Sequence, residues 1–359
     1  MRSLFTILIF CIVLFVYLHI NFHLRTSDDL EVYEIDQPSK DKLEEICDIR
    51  QPVIFDYKVD GLMKECNLNY IEQSYGAFDV KVRNVKQYDD NSELYLPLNL
   101  NTANEIFRKD DDQRYISENN SDFLEETGLI KNFQYNDIFL RPYSLCNSTY
   151  DYMFSSANTK TPLKYDLNYR NYFLVTQGKV TVTLIPPKSS KYLYTIKDYE
   201  NFEFISPVNP WNVQPQFKSD FDKLKTLEVS LIPGQVIFIP AYWWYSFSFS
   251  ENTSICVFKY RTYMNNIAIS NHLVVNLLQN QNVKRDSIKK KDKSETNPDI
   301  ITTNTTIANA ITNTSVDTNT NISVTATTNL NTPTIDMTMG NVITPSENDT
   351  TDMTHSHLV

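Results

Sequence analysis

An uninterrupted apolar run opens the chain. Residues 3–22 begin with Ser3, end with Phe22 and contain no formally charged side chain. A helix of about 20 such residues spans the hydrocarbon core of a bilayer. A cleaved signal peptide is the alternative, but this run is long for one and no small-residue cleavage site follows it. We therefore predict a single-pass membrane anchor over residues 1–26. Its orientation stays open, because Arg2 favours a cytosolic start and Arg25 opposes it.

Polar segments lie on both sides of the central part of the chain. Residues 27–49 are acidic and polar, and they predict a short stalk. Residues 284–359 open with a basic cluster and continue with mostly Thr and Asn, and no aromatic residue follows Tyr263. A segment of this kind buries too little apolar surface to offset its chain entropy, so we predict a disordered tail. For its basic cluster, a solvated charge run is favoured over contact with anionic lipid.

Between these segments, residues 50–283 have the pattern of a mostly β domain. Val180, Val182 and Leu184 alternate with polar residues, which is the period of a half-buried strand. Several short strands separated by turns favour a sandwich or barrel. Further strands are predicted at 235–240, 246–250 and 255–260, and helices near 62–75, 119–127 and 264–278.

Composition removes several classes of function. A net charge of -11 argues against nucleic acid as a partner, because phosphate binding needs a basic surface. Only six glycines are present, and they form no Gly-rich phosphate loop. The five cysteines include no C-x-x-C pair, which argues against a zinc ribbon or a thioredoxin-type site.

The segments TPLKYD at 161–166, NYFLVTQG at 171–178 and LIPGQVIFIPAYWWY at 231–245 resemble segments of the cupin-8 and Jumonji-C-like proteins. TPLKYD at 161–166 resembles the family's T-P-x-H-x-D, and NYFLVTQG at 171–178 with LIPP at 184–187 resembles the strand pair that follows it. LIPGQVIFIPAYWWY at 231–245 resembles G-D-x-x-x-I-P-x-x-W-W-H, and QPVI at 51–54 resembles the family's usual opening. The resemblance covers roughly residues 50–280. It implies a mostly β, double-stranded β-helix (cupin or jelly-roll) barrel with flanking helices.

Enzymes of this family hold Fe(II) through a His-x-Asp pair and a distal His, with positions left open for 2-oxoglutarate and oxygen. Carried over one position at a time, the Asp is retained as Asp166. Lys164 stands where the first His is expected, and Tyr245 where the distal His is expected. The resemblance therefore implies the fold and argues against the activity.

Five further positions are pocket candidates. The resemblance places the cosubstrate-binding Thr at Thr161 and a nearby family Asn at Asn171. The strand Lys that binds the 2-oxoglutarate carboxylate in some members falls at Val180. Trp243 and Trp244 occupy the family's Trp-Trp positions, and we favour a core aromatic role for them over substrate stacking.

The positions of the histidines also argue against a metal site, and this argument does not depend on the resemblance. None of the five lies between Arg50 and Tyr263; they are His19, His23, His272, His355 and His357. We therefore expect no metal, no cofactor and no catalytic residue in the barrel. A buried carboxylate without its metal is costly unless it is paired. Lys164 and Asp166 leave the same face of a strand, so we hypothesise a Lys164–Asp166–Tyr245 cluster in place of the metal.

Three functions remain open from the sequence. The favoured one is a membrane-anchored, non-catalytic cupin-like module that binds an unknown ligand or a protein. The second is a 2-oxoglutarate and Fe(II)-dependent hydroxylase with atypical ligands. The third is a structural membrane glycoprotein, for which N-x-S/T sequons begin at Asn119, Asn147, Asn252, Asn304, Asn313, Asn321 and Asn348.

Overall fold

The computed structural model describes residues 2–86 and 94–291, with side chains described as far as residue 281. The helices in these ranges are α1 (Arg2–Leu24), α2 (Lys40–Cys47), α3 (Asp60–Glu65), α4 (Leu68–Tyr75), α5 (Leu100–Arg108), α6 (Ser121–Glu126), α7 (Ile130–Asn136), α8 (Pro215–Phe221), α9 (Tyr263–Ala268) and α10 (Ser270–Lys291), with a 3₁₀ helix at Pro187–Tyr192. The strands are β1 (Tyr33–Ile35), β2 (Val53–Asp56), β3 (Asp79–Asn84), β4 (Leu96–Asn99), β5 (Tyr115–Ser117), β6 (Leu145–Ser155), β7 (Leu163–Tyr165), β8 (Arg170–Gln177), β9 (Val180–Ile185), β10 (Ile196–Asp198), β11 (Glu203–Ser206), β12 (Leu227–Leu231), β13 (Gln235–Phe238), β14 (Trp244–Phe249) and β15 (Ser254–Thr262).

The strands form two sheets. Within the described residues, one sheet has nine strands in the order β1-β2-β13-β8-β15-β6-β5-β3-β4, and the other has six in the order β10-β11-β7-β14-β9-β12. We call them the large sheet and the small sheet. The two sheets contribute to one apolar interior, since Phe173 and Val257 of the large sheet share a core cluster with Val182 and Phe247 of the small sheet. The predicted mostly β architecture with flanking helices is thereby confirmed.

Strand alternation explains this interior. On β15, Ile255 and Val257 point into the space between the sheets, whereas Cys256 and Phe258 pack on the opposite face with the helices that follow β2, β4 and β5. Because successive side chains on a strand point to opposite faces, a strand covered on both sides is apolar throughout. Lys259 and Arg261 continue the inward-facing series, so they bring charge to one end of the interior.

The predicted stalk at 27–49 is wrong over most of its length. β1 pairs in parallel with β2, and α2 buries Leu43, Ile46 and Cys47 against the domain. Three apolar residues at helical spacing are enough to fix α2, although charged residues surround them. Ser39 caps this helix by accepting a hydrogen bond from the Lys42 amide.

The C-terminal boundary also differs from the prediction. α10 continues to Lys291, so residues 284–291 of the predicted tail are helical. The rest of the predicted disordered tail, residues 292–359, lies outside the described part of the chain, together with its sequons at Asn304, Asn313, Asn321 and Asn348.

α1 is long and apolar enough to cross a membrane, with a mean hydropathy of 2.6 over its most apolar window. An N-terminal signal sequence also meets these criteria of length and composition. Its last turns pack on α9, and the α1 side chains that lose exposure there are Val16, His19, Ile20 and His23.

Candidate functional site

Lys164 does not pair with Asp166, as the sequence-based hypothesis had it. It lies in the middle of β7, directly opposite Tyr245 of β14. Its ammonium group lies 2.7 Å from Oε2 of Glu118, a residue that follows β5 in the large sheet. Glu118 is only 2% exposed, so solvent does not compensate the charge of its carboxylate, which depends on nearby cations.

Glu118 also receives a second cation. The guanidinium of Arg83, on β3, lies 3.1 Å from Glu118 Oε1 and 3.1 Å from an oxygen of Glu203, at the start of β11. The Tyr95 hydroxyl is 3.3 Å from the Glu118 carboxylate and 3.1 Å from that of Glu203. Arg83 is 3% exposed, so the two glutamates and the arginine form one buried unit with Lys164.

Asp166 keeps one of its two hypothesised partners. The Tyr245 hydroxyl donates a hydrogen bond of 2.6 Å to Oδ2 of Asp166, which confirms that half of the hypothesis. The cation at Asp166 is Lys259 of β15, whose ammonium group lies 3.2 Å from Oδ1. Lys259 reaches the site because it continues the inward-facing series of β15.

Three of the four ion pairs at this site join the large sheet to the small sheet, and the fourth, Arg83–Glu118, lies on the large-sheet side. The three cross-sheet pairs are Glu118–Lys164, Arg83–Glu203 and Lys259–Asp166, where the first residue belongs to the large sheet or follows one of its strands. We call these six residues the cross-sheet ion network. It contains three cations and three carboxylates, so its formal charge is zero. A neutral, mutually satisfied set is the arrangement that makes buried charge tolerable.

The pKa values follow from this arrangement. Burial opposes ionisation of Glu118, but the Coulombic attraction of Lys164 and Arg83 outweighs it and lowers the pKa of Glu118 to about 2. Burial likewise opposes ionisation of Asp166, yet Lys259 and the Tyr245 hydroxyl lower its pKa. Burial, together with the Asp166 charge, raises the pKa of Tyr245 well above its usual value, so the phenol stays a neutral donor.

The residues at the metal-ligand positions do not fit Fe(II). Fe(II) oxygenases use two imidazoles and a carboxylate with open coordination positions. In this chain an ammonium group and a phenol occupy the imidazole positions, and Asp166 already accepts from Tyr245 and Lys259. Over residues 2–86 and 94–281, no three His, Cys, Asp or Glu side chains are grouped closely enough to share an ion.

Three of the five pocket candidates are buried in the domain, and the two polar ones have hydrogen-bond partners within it. The Thr161 hydroxyl accepts a 2.8 Å hydrogen bond from the Phe247 amide. The Asn171 amide donates to the Ile239 carbonyl at 3.1 Å and is fully buried. Val180 is fully buried in the apolar interior and pairs with Phe249, so it offers no charge to a carboxylate.

The other two candidates, Trp243 and Trp244, are both fully buried, but they do not form one pair. Trp243 belongs to the interior between the sheets, and its indole donates to the Arg50 carbonyl at 3.1 Å. Trp244 packs on the outside of the small sheet with Leu163, and its indole donates to the Ser190 hydroxyl at 2.8 Å. Both tryptophans therefore have packing partners and a satisfied N–H, as a core residue needs.

Sequence reasoning missed five site residues: Arg83, Tyr95, Glu118, Glu203 and Lys259. The pattern carried a signal for two of them. Lys259 interrupts an apolar strand and lies on the same face of it as Ile255 and Val257. Arg83 lies on the opposite face of β3 from Val80 and Val82. Glu118, Glu203 and Tyr95 lie beside or at the start of short strands, where neither periodicity nor motif marks them.

The asparagines of the three described sequons, Asn119, Asn147 and Asn252, are exposed. Exposure is what glycosylation of a lumenal domain requires. Their use remains a prediction.

The fold and the sequence together place the chain in a family. It belongs to the cupin-like domain family, whose sequence model matches residues 39–265. Among curated proteins it is similar to HSPB1-associated protein 1 of Rattus norvegicus, with 32% identity over 91 residues, or 25% of this chain and 19% of that protein. HSPB1-associated protein 1 of Homo sapiens is 28% identical over 124 residues, or 34% of this chain and 25% of that protein. The chain thus spans a quarter or less of the length of these two relatives.

Proposed function

We propose that this chain is a membrane-anchored, non-catalytic cupin-like module that binds a protein. The observation that carries the proposal is the cross-sheet ion network at the position of the family's metal. Its three pairs satisfy Asp166 and the residues at the two histidine positions without an ion. A hydroxylase with atypical ligands would need Lys164 to leave Glu118 and Lys259 to leave Asp166, and each departure would remove a cation from a carboxylate in the interior.

The protein-binding part of the proposal is supported by the name of the relatives, which states association with HSPB1. The matched stretch covers a minority of those proteins, so the partner of this chain is not transferred from them. The anchoring part is supported by the length and composition of α1.

Purified full-length protein in detergent tests the catalytic question. After anaerobic incubation with Fe(II) and gel filtration, we expect iron far below one equivalent and no succinate release from 2-oxoglutarate above a no-enzyme blank. The Asp166→Ala variant is the matched control. Succinate release by the wild type that this variant abolishes would overturn the proposal in favour of the hydroxylase.

Alkaline carbonate extraction of cell membranes tests the anchor. We expect the full chain to remain in the membrane pellet, because an apolar helix of this length resists extraction. Recovery in the supernatant, or a mature chain that begins after residue 22, would identify α1 as a cleaved signal sequence.

A further inference from the structure

The C-terminal end of α1 packs directly on the domain. The His23 ring, near the end of α1, lies with Nε2 3.1 Å from the Thr262 hydroxyl. That hydroxyl also caps α9 by accepting from the Asn265 amide at 3.1 Å. The guanidinium of Arg50 lies over the rings of Phe22 and Tyr169, at 5.1 and 4.6 Å from their centroids. The end of α1 and the start of α9 are therefore one packed unit.

This packing fixes the depth of α9 relative to α1. The covered face of α1 runs from Val16 to His23, which is roughly 10 Å along the helix axis. The whole helix is roughly 35 Å long, against a hydrocarbon core of about 30 Å. If α1 spans a bilayer, α9 then lies beside its last turns, at the level where acyl chains meet headgroups.

The first turn of α10 lies at the same level. Leu24, at the end of α1, lines a cavity of about 230 Å³ together with Tyr165 and Tyr242. These two tyrosines also pack with Ile269 and Leu273 at the α9–α10 junction. Tyr165 and Tyr242 thus lie between the cavity beside Leu24 and the α9–α10 junction, so the start of α10 is near the end of α1.

α10 has one face on the domain and an opposite face that is apolar and uncovered. Leu273 packs on the domain, and the Asn276 amide donates to the Tyr199 carbonyl. Val274, Leu277 and Leu278 are 53%, 59% and 55% exposed. Residues three and four apart share a helix face, so these three side chains form one apolar stripe.

We propose that this stripe of α10, Val274, Leu277 and Leu278, lies in the surface of the bilayer that α1 spans, as a second membrane contact. The inference rests on the anchoring part of the proposed function. A helix of this kind lies in the interface plane, with its apolar face about 5–10 Å into the boundary of headgroups and acyl chains. Tyr263 of α9 is exposed at the same end of the domain, and interfacial tyrosine is common. The sequence continues with Lys284, Arg285, Lys289, Lys290 and Lys291, residue types that anionic headgroups attract.

Site-specific fluorescence on the full chain tests this contact. Cys11 and Cys146, the two exposed cysteines, are replaced by Ala and Ser. Single cysteines are then introduced as Val274→Cys or Leu278→Cys and labelled with an environment-sensitive dye. Ile232→Cys is the matched control, because Ile232 is 54% exposed but lies at the opposite end of β13 from Tyr242. The proteins are reconstituted into vesicles of phosphatidylcholine and phosphatidylserine that carry nitroxide-labelled acyl chains.

We expect lipid nitroxides to quench the labels at 274 and 278 strongly and to leave the label at 232 almost unquenched, with aqueous iodide giving the reverse order. The Leu277→Gln/Leu278→Gln variant should lose most of the lipid quenching at 274 while it stays in the carbonate pellet. Labels shielded from both quenchers would indicate a protein partner or a second copy on this face, and would overturn the lipid assignment. So would labels at 274 and 278 as open to iodide as the label at 232. A chain absent from the carbonate pellet would instead refute the anchor itself, which separates the two failures.

Discussion

The ammonium group of Lys164 lies 2.7 Å from the carboxylate of Glu118, a residue 46 positions earlier in the chain and on the other sheet. The position at which the family places a metal-binding imidazole therefore holds one end of a cross-sheet ion pair. Asp166, two residues further on, instead pairs with Lys259 and accepts a hydrogen bond from Tyr245. The side chains at these positions join the two sheets.

The first prediction concerns the stability that Lys164 supplies. Lys164→Met strands part of the Glu118 charge in the interior, where breaking a buried pair costs about 3–5 kcal/mol. We expect a loss near the low end of that range, because Arg83 remains beside Glu118. Denaturant unfolding of the full chain in detergent measures the change in the free energy of unfolding.

Two further variants identify the partner of Lys164. Lys164→Met with Glu118→Gln should recover much of the loss, whereas Lys164→Met with Asp166→Asn should not. Lys58→Met is the surface control, since Lys58 pairs with Asp56 at 2.8 Å in an exposed position and such a pair contributes about 0–1 kcal/mol. Recovery by Asp166→Asn in place of Glu118→Gln would restore the pairing hypothesised from the sequence.

The second prediction is that the free energy of unfolding falls at acidic pH and that the titration of Glu118 contributes to this fall. Its pKa is about 2 in the folded chain and about 4.3 when unfolded, so the unfolded state binds the proton more tightly. A depressed carboxyl pKa stabilises the fold above the unfolded pKa, and this stabilisation disappears as the pH falls toward the folded pKa. The free energy of unfolding should therefore drop by about 3 kcal/mol between about pH 4.5 and pH 2 through this group.

Unfolding curves across that pH range, for the wild type and for Glu118→Gln, measure the effect. The variant has no proton to take up at this position, so its stability should fall less steeply. If the free energy of unfolding fell equally steeply with pH in the two proteins, Glu118 would not be responsible for the loss of stability in acid.

The third prediction separates the Tyr245–Asp166 hydrogen bond from the packing of the ring. Tyr245→Phe keeps the ring, which packs on Phe173 and Phe247, and removes the donor to Asp166. A hydrogen bond to a charged group contributes about 1.5–3 kcal/mol, so we expect a loss in that range from denaturant unfolding.

The matched control is Tyr143→Phe. Tyr143 donates to Asp41 at 2.7 Å in the same chemical pairing, but on the surface. Its removal should leave the unfolding midpoint almost unchanged. Equal losses at the two positions would mean that burial of Asp166 adds nothing to the value of its hydrogen bond.

Much of the fold was predictable because period and burial are coupled in strands. The alternation at Val180, Val182 and Leu184 predicted β9, and all three are buried in the interior between the sheets. α2 was missed because its three buried residues stand among lysines and glutamates, so its composition is that of a polar linker. The end of α10 was missed because polar and basic residues favour a helix about as well as they favour an open tail.

The candidate site was predictable only where its members are close in sequence or matched by a motif. Lys164, Asp166 and Tyr245 were found in this way, and the hydrogen bond between the last two was inferred correctly. Glu118 and Lys259 were not found as partners, because cross-sheet neighbours are set by how two sheets pack and not by spacing along one strand. An unpaired charge on an inward-facing strand position is nevertheless a usable signal, since it requires a partner from the opposite sheet.

The last prediction reverses the replacement at the metal position. Lys164→His with Tyr245→His places two imidazoles on paired strands beside Asp166, which gives the residue types of the facial triad. In that double variant Lys259 still holds Asp166, so we expect weak binding of Mn(II). Adding Lys259→Met frees the carboxylate and leaves Glu118, Glu203 and Asp166 against Arg83 alone. The network then carries two net negative charges, which a divalent cation neutralises, so the triple variant should bind Mn(II) more tightly than the double variant.

Electron paramagnetic resonance titration of free Mn(II) measures the affinity of both variants. The control is the triple variant with Asp166→Asn added. Binding by the wild type equal to that of the triple variant would show that the cross-sheet ion network does not stand in for a metal. Failure of a folded triple variant to bind at all would show that the backbone no longer keeps the geometry of a metal site.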